Sequence, residues 1–179
     1  MPKRAVRNLA LTGITIVSAT MLTALSTISA SATTVAAGAP AASAIINGFE
    51  IENHDGLCLT AGADAPAVQA NCTFAANQTW HQVSVSGRGV ELRNGLNQCL
   101  GIAGSSKSRG ARVYGWRCKG TRDQYWTWDV FVNYGLYIEN LNSHLFLGVA
   151  GGSTKPGAAA VQWSGQNPPG GVNQAWNFE

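Results

Sequence analysis

The sequence predicts an all-β domain assembled from three copies of one repeat, and three observations predict it. Phe49–Asn53, Val90–Asn94 and Leu136–Asn140 each set apolar residues at every second position and end in asparagine, the pattern of a half-buried strand running into a turn. Three Gln-x-Trp triplets, Gln78-Thr79-Trp80, Gln124-Tyr125-Trp126 and Gln174-Ala175-Trp176, close the three units at spacings of 46 and 50 residues. No helix-period apolar pattern runs anywhere after residue 45.

Read from the start, the chain opens with Lys3, Arg4 and Arg7, followed by an uncharged stretch, Leu9–Ile28, and then Ala30-Ser31-Ala32. A basic head, an apolar run and a small-residue cleavage pattern read as a secretory signal peptide over residues 1–32. A membrane anchor is the competing reading. Leu9–Ile28 has the length to span, but its many Thr and Ser residues make it weakly apolar. Ala42-Ser43-Ala44 repeats the cleavage pattern, so a cut at 32 or 44 stays open. Cleavage removes three basic residues and leaves nine of each sign. The basic pI therefore belongs to the leader, and the mature chain has no charge imbalance that calls for nucleic acid or a membrane as partner. Residues 33–46 are rich in Ala, Thr and Ser, lack the bulk to pack, and read as a disordered linker.

The folded domain is expected over residues 47–179, with repeats at about 47–87, 88–133 and 134–179. After each opening strand and its asparagine comes a second apolar stretch, Cys58-Leu59, Cys99-Leu100 or Phe146-Leu147, and further on a turn glycine, Gly62, Gly104 or Gly151. A unit of this length holds about four short strands and cannot bury its own apolar face. Three units around a shared axis can, with Trp80, Trp126 and Trp176 meeting in a common core. Each such ring removes roughly 150–250 Å² from water. Gln78, Gln124 and Gln174 are expected to satisfy backbone groups at the turns.

Four cysteines, all after the leader, point to disulfides in an oxidising compartment. They show no CxxC spacing and the three histidines are scattered, so no zinc site, metal or cofactor is expected. Glycoside hydrolysis needs two carboxylates about 5–10 Å apart. Glu50, Glu52, Glu91 and Glu139 instead sit at alternating strand positions, where solvent exposure explains them. No nucleophile elbow, zinc-protease or phosphate-loop motif is present, so no catalysis is expected. Lys107, Arg109, Arg112, Arg117, Lys119 and Arg122 crowd into the second repeat with no acidic residue between Lys107 and Arg122. That run reads either as a solvated face or as a receiver for an acidic polymer.

Three repeats ending in Gln-x-Trp, two of them with Cys-Leu near their start, resemble the ricin B-type lectin domain over about residues 47–179. The resemblance implies a β-trefoil: three repeats in pseudo-threefold symmetry. It also implies pairing of Cys58 with Cys72 and Cys99 with Cys118, each staple worth on the order of 3 kcal/mol in the chain-entropy account. Sugar binding in that family uses an Asp after Cys-Leu, the Gln and aromatic of Val-Gln-x-Trp, and an Asn before Gln-x-Trp.

Carried over residue by residue, the Asp is replaced by Thr60, Gly101 and Gly148. The first repeat keeps Val68-Gln69 and Asn77, has Ala70 and Asn71 in place of the aromatic, and reads as a dead site, with Asp64 the nearest carboxylate. The second offers Tyr114 for the Gln, Trp116 as the aromatic, and Asp123 for the Asn, followed by Gln124. The third offers Gln162, Trp163 one residue early, Asn173 and Gln174, with the loop Ser164–Val172 placed to form a pocket wall. The expected partner is an extracellular or cell-wall oligo- or polysaccharide, neutral or anionic, bound by a secreted monomer. For Trp116 and Trp163, packing against the barrel stands beside ligand stacking. The alternative for the whole domain is a trefoil scaffold with degenerate sugar sites, serving protein interaction or protease inhibition.

Overall fold

Asparagine, glutamine and tryptophan recur at matched places in the three repeats, and the fold follows from what each does. The computed structural model describes residues 48–165 and 172–179. The expected leader, the linker and the Pro168-Pro169-Gly170-Gly171 part of the third-repeat loop lie outside the described residues. Thirteen strands are present among those residues: β1 (Phe49–Asn53), β2 (Leu57–Thr60), β3 (Ala65–Pro66), β4 (Val68–Asn71), β5 (Thr79–Val85), β6 (Gly89–Asn94), β7 (Gln98–Ile102), β8 (Val113–Arg117), β9 (Trp126–Phe131), β10 (Gly135–Asn140), β11 (Phe146–Val149), β12 (Ala160–Trp163) and β13 (Trp176–Phe178). The helical pieces are single 3-10 turns, among them Ala103–Ser105 and Ala150–Gly152.

Six strands pair antiparallel in a closed ring, β1–β5–β6–β9–β10–β13 and back to β1. Closure removes the free edges that an open sheet would leave. Three further hairpins, β2–β4, β7–β8 and β11–β12, stand one per repeat. This is the β-trefoil.

Trp80, Trp126 and Trp176 are fully buried, with Ile51, Leu92 and Ile138 from the opening strands and Leu59, Leu100 and Leu147 from the hairpins. Each indole Nε1 donates to the leucine carbonyl of its own repeat: Trp80 to Leu59 (3.0 Å), Trp126 to Leu100 (2.9 Å), Trp176 to Leu147 (3.1 Å). The core thus buries its aromatic bulk without leaving a donor unmet.

Asn53, Asn94 and Asn140 close the opening strands by accepting backbone N–H groups two residues on, the Asx turn that makes asparagine a strand terminator. Gln78 and Gln124 bridge backbone groups as expected. The Gln78 amide donates to Asn71 O and its oxygen accepts from Thr73 N; Gln124 does the same with Arg117 O and Lys119 N. Gln174 donates to Trp163 O.

Both disulfides, Cys58–Cys72 and Cys99–Cys118, are formed, with Cα atoms 5.0 Å apart in each. The expectation of four solvent-facing strand glutamates is corrected here. Glu50 and Glu91 are 2% and 3% exposed, and Glu52 and Glu139 are half-buried. Glu50 accepts the Thr73 and Phe74 N–H groups beside the first disulfide, and Glu91 is paired with Arg93. Period two cannot reveal this, because a barrel strand is covered by a hairpin on its outer side as well as by the core. Tyr137 occupies the same place in the third repeat, at 6.2 Å from Phe146, which stands in for the first cysteine. An aromatic contact therefore replaces the staple there. Each glutamate lies beside its repeat's disulfide sulfurs, but those sulfurs are bonded to each other and are not metal ligands.

Candidate functional site

The hairpin registers decide which residues are equivalent. Trp116 lies opposite Cys99, and Trp163 lies opposite Phe146. The two tryptophans thus hold the same position, and the expectation that Trp163 comes one residue early is corrected. The same registers match Tyr114 with Val161, and Gln162 with Gly115 and Gln69.

Gln162 is therefore not a sugar-facing residue. It is fully buried, its amide donates to Ser106 O and Ser108 O (both 2.9 Å), and its oxygen accepts from Ser143. Gln69 does the same for the first repeat, holding Ser153 O and Lys155 O. In the second repeat a Cβ on Gly115 would meet Gly62 O at 2.7 Å. With its amide turned to match its neighbours, Gln98 performs the clamp from the facing strand, donating to Gly62 O (3.2 Å) and accepting from Ala63 N (3.1 Å). The three glutamines tie each repeat to a loop of the preceding one, the first repeat to the third.

On the outer faces two clefts form at equivalent places. The third-repeat cleft, about 600 Å³, is lined by Trp163, Asn173, Gln174, the Ala150–Gly152 turn and Arg112, which reaches in from the second repeat. Trp163 is 41% exposed and rests near Gly110, where a Cβ would come to 3.5 Å of the ring. Asn173 is half-buried and donates to Val149 O at 3.3 Å. Gln174 is buried at the back, its amide on the backbone.

The second-repeat cleft, about 240 Å³, is lined by Trp116, Asp123, Gln124, Lys119, Thr121 and Ser105. Tyr114 is not among its lining residues. It stacks on Trp116 with ring centroids 4.7 Å apart and planes 19° apart, so one face of the indole is taken. Asp123 is 8% exposed and accepts from Ser105 Oγ at 2.9 Å. Gln124 is buried and held by the backbone, as above.

The missing aspartates now have a physical reason, one that sequence reasoning missed. A Cβ on Gly148 would stand 2.9 Å from Gln174 Cγ and 3.1 Å from Asn173 O, and one on Gly101 would stand 2.9 Å from Gln124 Cγ. The Gln-x-Trp glutamine packs directly on the strand where the carboxylate would be. In the first repeat Thr60 fits, and its hydroxyl accepts from Gln78 at 2.8 Å. Three side chains of the basic run line three different clefts: Arg112 the third-repeat cleft, Lys119 the second-repeat cleft, and Arg122 a further one.

Closed barrel, three hairpins and outward clefts at the hairpin strands define a trefoil of the lectin type. The family model of the ricin-type beta-trefoil lectin domain-like proteins matches residues 77–163 and 122–179, together more than half of the chain. The chain belongs to that family. No curated protein matches it. Among solved structures, it is similar to the designed threefold-symmetric protein ThreeFoil (22% identity, TM-score 0.67), covering 73% of this chain and 96% of that one. It is similar to the Macrolepiota procera ricin B-like lectin in complex with lactose (19%, TM-score 0.62), covering 73% and 93%. An exo-beta-1,3-galactanase from Clostridium thermocellum (23%, TM-score 0.69) is matched over 74% of this chain but only 30% of that one. At these identities the likeness carries the fold.

Proposed function

We propose that this chain is a secreted, non-catalytic carbohydrate-binding protein whose working sites are the third-repeat and second-repeat clefts. The carrying observation is Trp163, a large aromatic left 41% exposed over an open cleft with Asn173 beside it. An indole face takes the C–H side of a sugar ring, while a few placed amides and cations fix its hydroxyls. In the third repeat those groups are Asn173 and Arg112. In the second, Trp116 stacks, with Tyr114 stiffening it, and Asp123 supplies the acceptor that Gly101 lacks. Gln124 and Gln174 support these sites from behind. Family membership and the lactose complex of the Macrolepiota procera lectin support a sugar as the ligand. The basic, then apolar, opening of the sequence with its small-residue cleavage pattern and the two disulfides support export into an oxidising space.

A glycan array with the purified protein, followed by titration of the best ligand, tests this reading. Trp163→Ala should weaken binding at least about tenfold, or ~1.4 kcal/mol, with the melting temperature nearly unchanged. Wild-type affinity in both Trp163→Ala and Trp116→Ala would overturn it.

A further inference from the structure

A third cleft, about 510 Å³, shares no lining residue with the two sugar clefts. It opens between the β5–β6 turn and the β8–β9 connection, with Leu141 closing one side. Two arginines from separate elements, Arg88 and Arg122, line it. Arg122 Nε donates to Leu141 O at 2.9 Å. That bond holds the guanidinium in place and leaves its two terminal nitrogens for another acceptor. Tyr125 also lines the cleft. Its ring is buried, and its hydroxyl, which has no hydrogen-bond partner among the described residues, opens to solvent through the cleft.

The rim carries three glycines at positive φ, Gly87 at 68°, Gly89 at 109° and Gly120 at 66°. A Cβ on Gly89 would strike Leu141 Cδ1 at 2.4 Å, and one on Gly120 would crowd the Tyr125 hydroxyl at 3.3 Å. Side chains at either place would fill the opening.

The polar side chains facing this space are donors. Guanidinium groups donate and never accept, and the phenol is free to donate. Among the described residues no carboxylate lines the cleft. A neutral sugar needs donors and acceptors in pairs, whereas an oxyanion accepts only and takes an arginine fork in bidentate fashion. We infer that this cleft is a further binding site, separate from the two sugar clefts, for an oxyanion, a carboxylate or sulfate group carried on a ligand of monosaccharide size. Arg88 and Arg122 grip the anion, and the Tyr125 hydroxyl donates from the floor.

The test is titration of ¹⁵N-labelled full chain with glucuronate, inorganic sulfate and glucose, following the amide signals of Gly87, Gly89 and Gly120 and the arginine Nε–H signals. Glucuronate, sulfate or both should shift these signals and glucose should not. The tighter of the two anions identifies the source. Arg88→Gln and Arg122→Gln should each weaken binding about fivefold or more, and the double variant should abolish it. Tyr125→Phe should weaken it severalfold without lowering the melting temperature, because its hydroxyl holds nothing in the free protein. Binding should also fall as salt rises, since the arginines are exposed and screened over ~8–10 Å. Equal shifts by glucose, no shift by either anion, or unchanged affinity in the folded double variant would overturn the inference.

Discussion

At the scale of the residue, each repeat turns on whether one position can carry a side chain. Gly101 and Gly148 lie under the buried glutamines Gln124 and Gln174, so they cannot accept the family's aspartate without displacing a side chain already bonded to the backbone. Gly148→Asp should therefore lower stability, by roughly 1–3 kcal/mol as in other overpacked sites, and should not improve sugar affinity. Thermal melting and titration of the one variant check both halves, and a tighter-binding, fully stable Gly148→Asp would refute the steric account. The tryptophans divide in the same way. Trp126 is fully buried and bonded to Leu100 O, whereas Trp116 is only half-buried. Trp126→Ala should cost about 3–5 kcal/mol and Trp116→Ala much less, as read by denaturant unfolding. Equal losses would show that the second tryptophan is structural too.

At the scale of the element, hairpins are fixed by two devices: disulfides inside a repeat and glutamine clamps between repeats. Each disulfide closes a loop of 14 or 19 residues in sequence separation, so reduction should cost on the order of 3 kcal/mol per bond. Non-reducing peptide maps should return Cys58–Cys72 and Cys99–Cys118, and a link between repeats would break the repeat alignment itself. Gln162→Ala removes a fully buried amide that serves two carbonyls and a hydroxyl, leaving them unmet at a cost of about 1–3 kcal/mol. Hydrogen exchange in Ser106–Ser108 should rise with it, and an unchanged rate would mean that the loop is held by something else. The third repeat has no staple. There Tyr137 and Phe146 form an aromatic group with Phe131 of the second repeat, so on reduction hydrogen exchange should rise in the β2–β4 and β7–β8 hairpins before it rises in β11–β12.

At the scale of the whole molecule, threefold repetition closes a barrel from units that could not stand alone, and it places equivalent clefts around the outside for substitution to vary separately. The first repeat has lost its aromatic, the second has a stacked Trp116 with a buried carboxylate, and the third has an open Trp163 with an arginine borrowed from its neighbour. A neutral sugar in the third-repeat cleft should bind with little salt dependence, while an anion held by arginines should not. Titration of each class at low and high salt separates the two. Equal salt sensitivity for both would mean that they share one site.

The repeat number, the three structural tryptophans and the asparagine turns were legible in the order of residues alone, and the family resemblance implied the cysteine pairs. The first three are local patterns or recurrences, and recurrence survives in one dimension. The folded chain was needed to show that Glu50 and Glu91 are buried, that Gln162 is a clamp, that Trp163 is in register with Trp116, and that Arg112, Lys119 and Arg122 line three different clefts. Those facts depend on which hairpin covers which strand and on contacts such as Gln162 with Ser106, 56 residues apart. Period and spacing describe a strand's own two faces. They do not say what the next repeat lays across them.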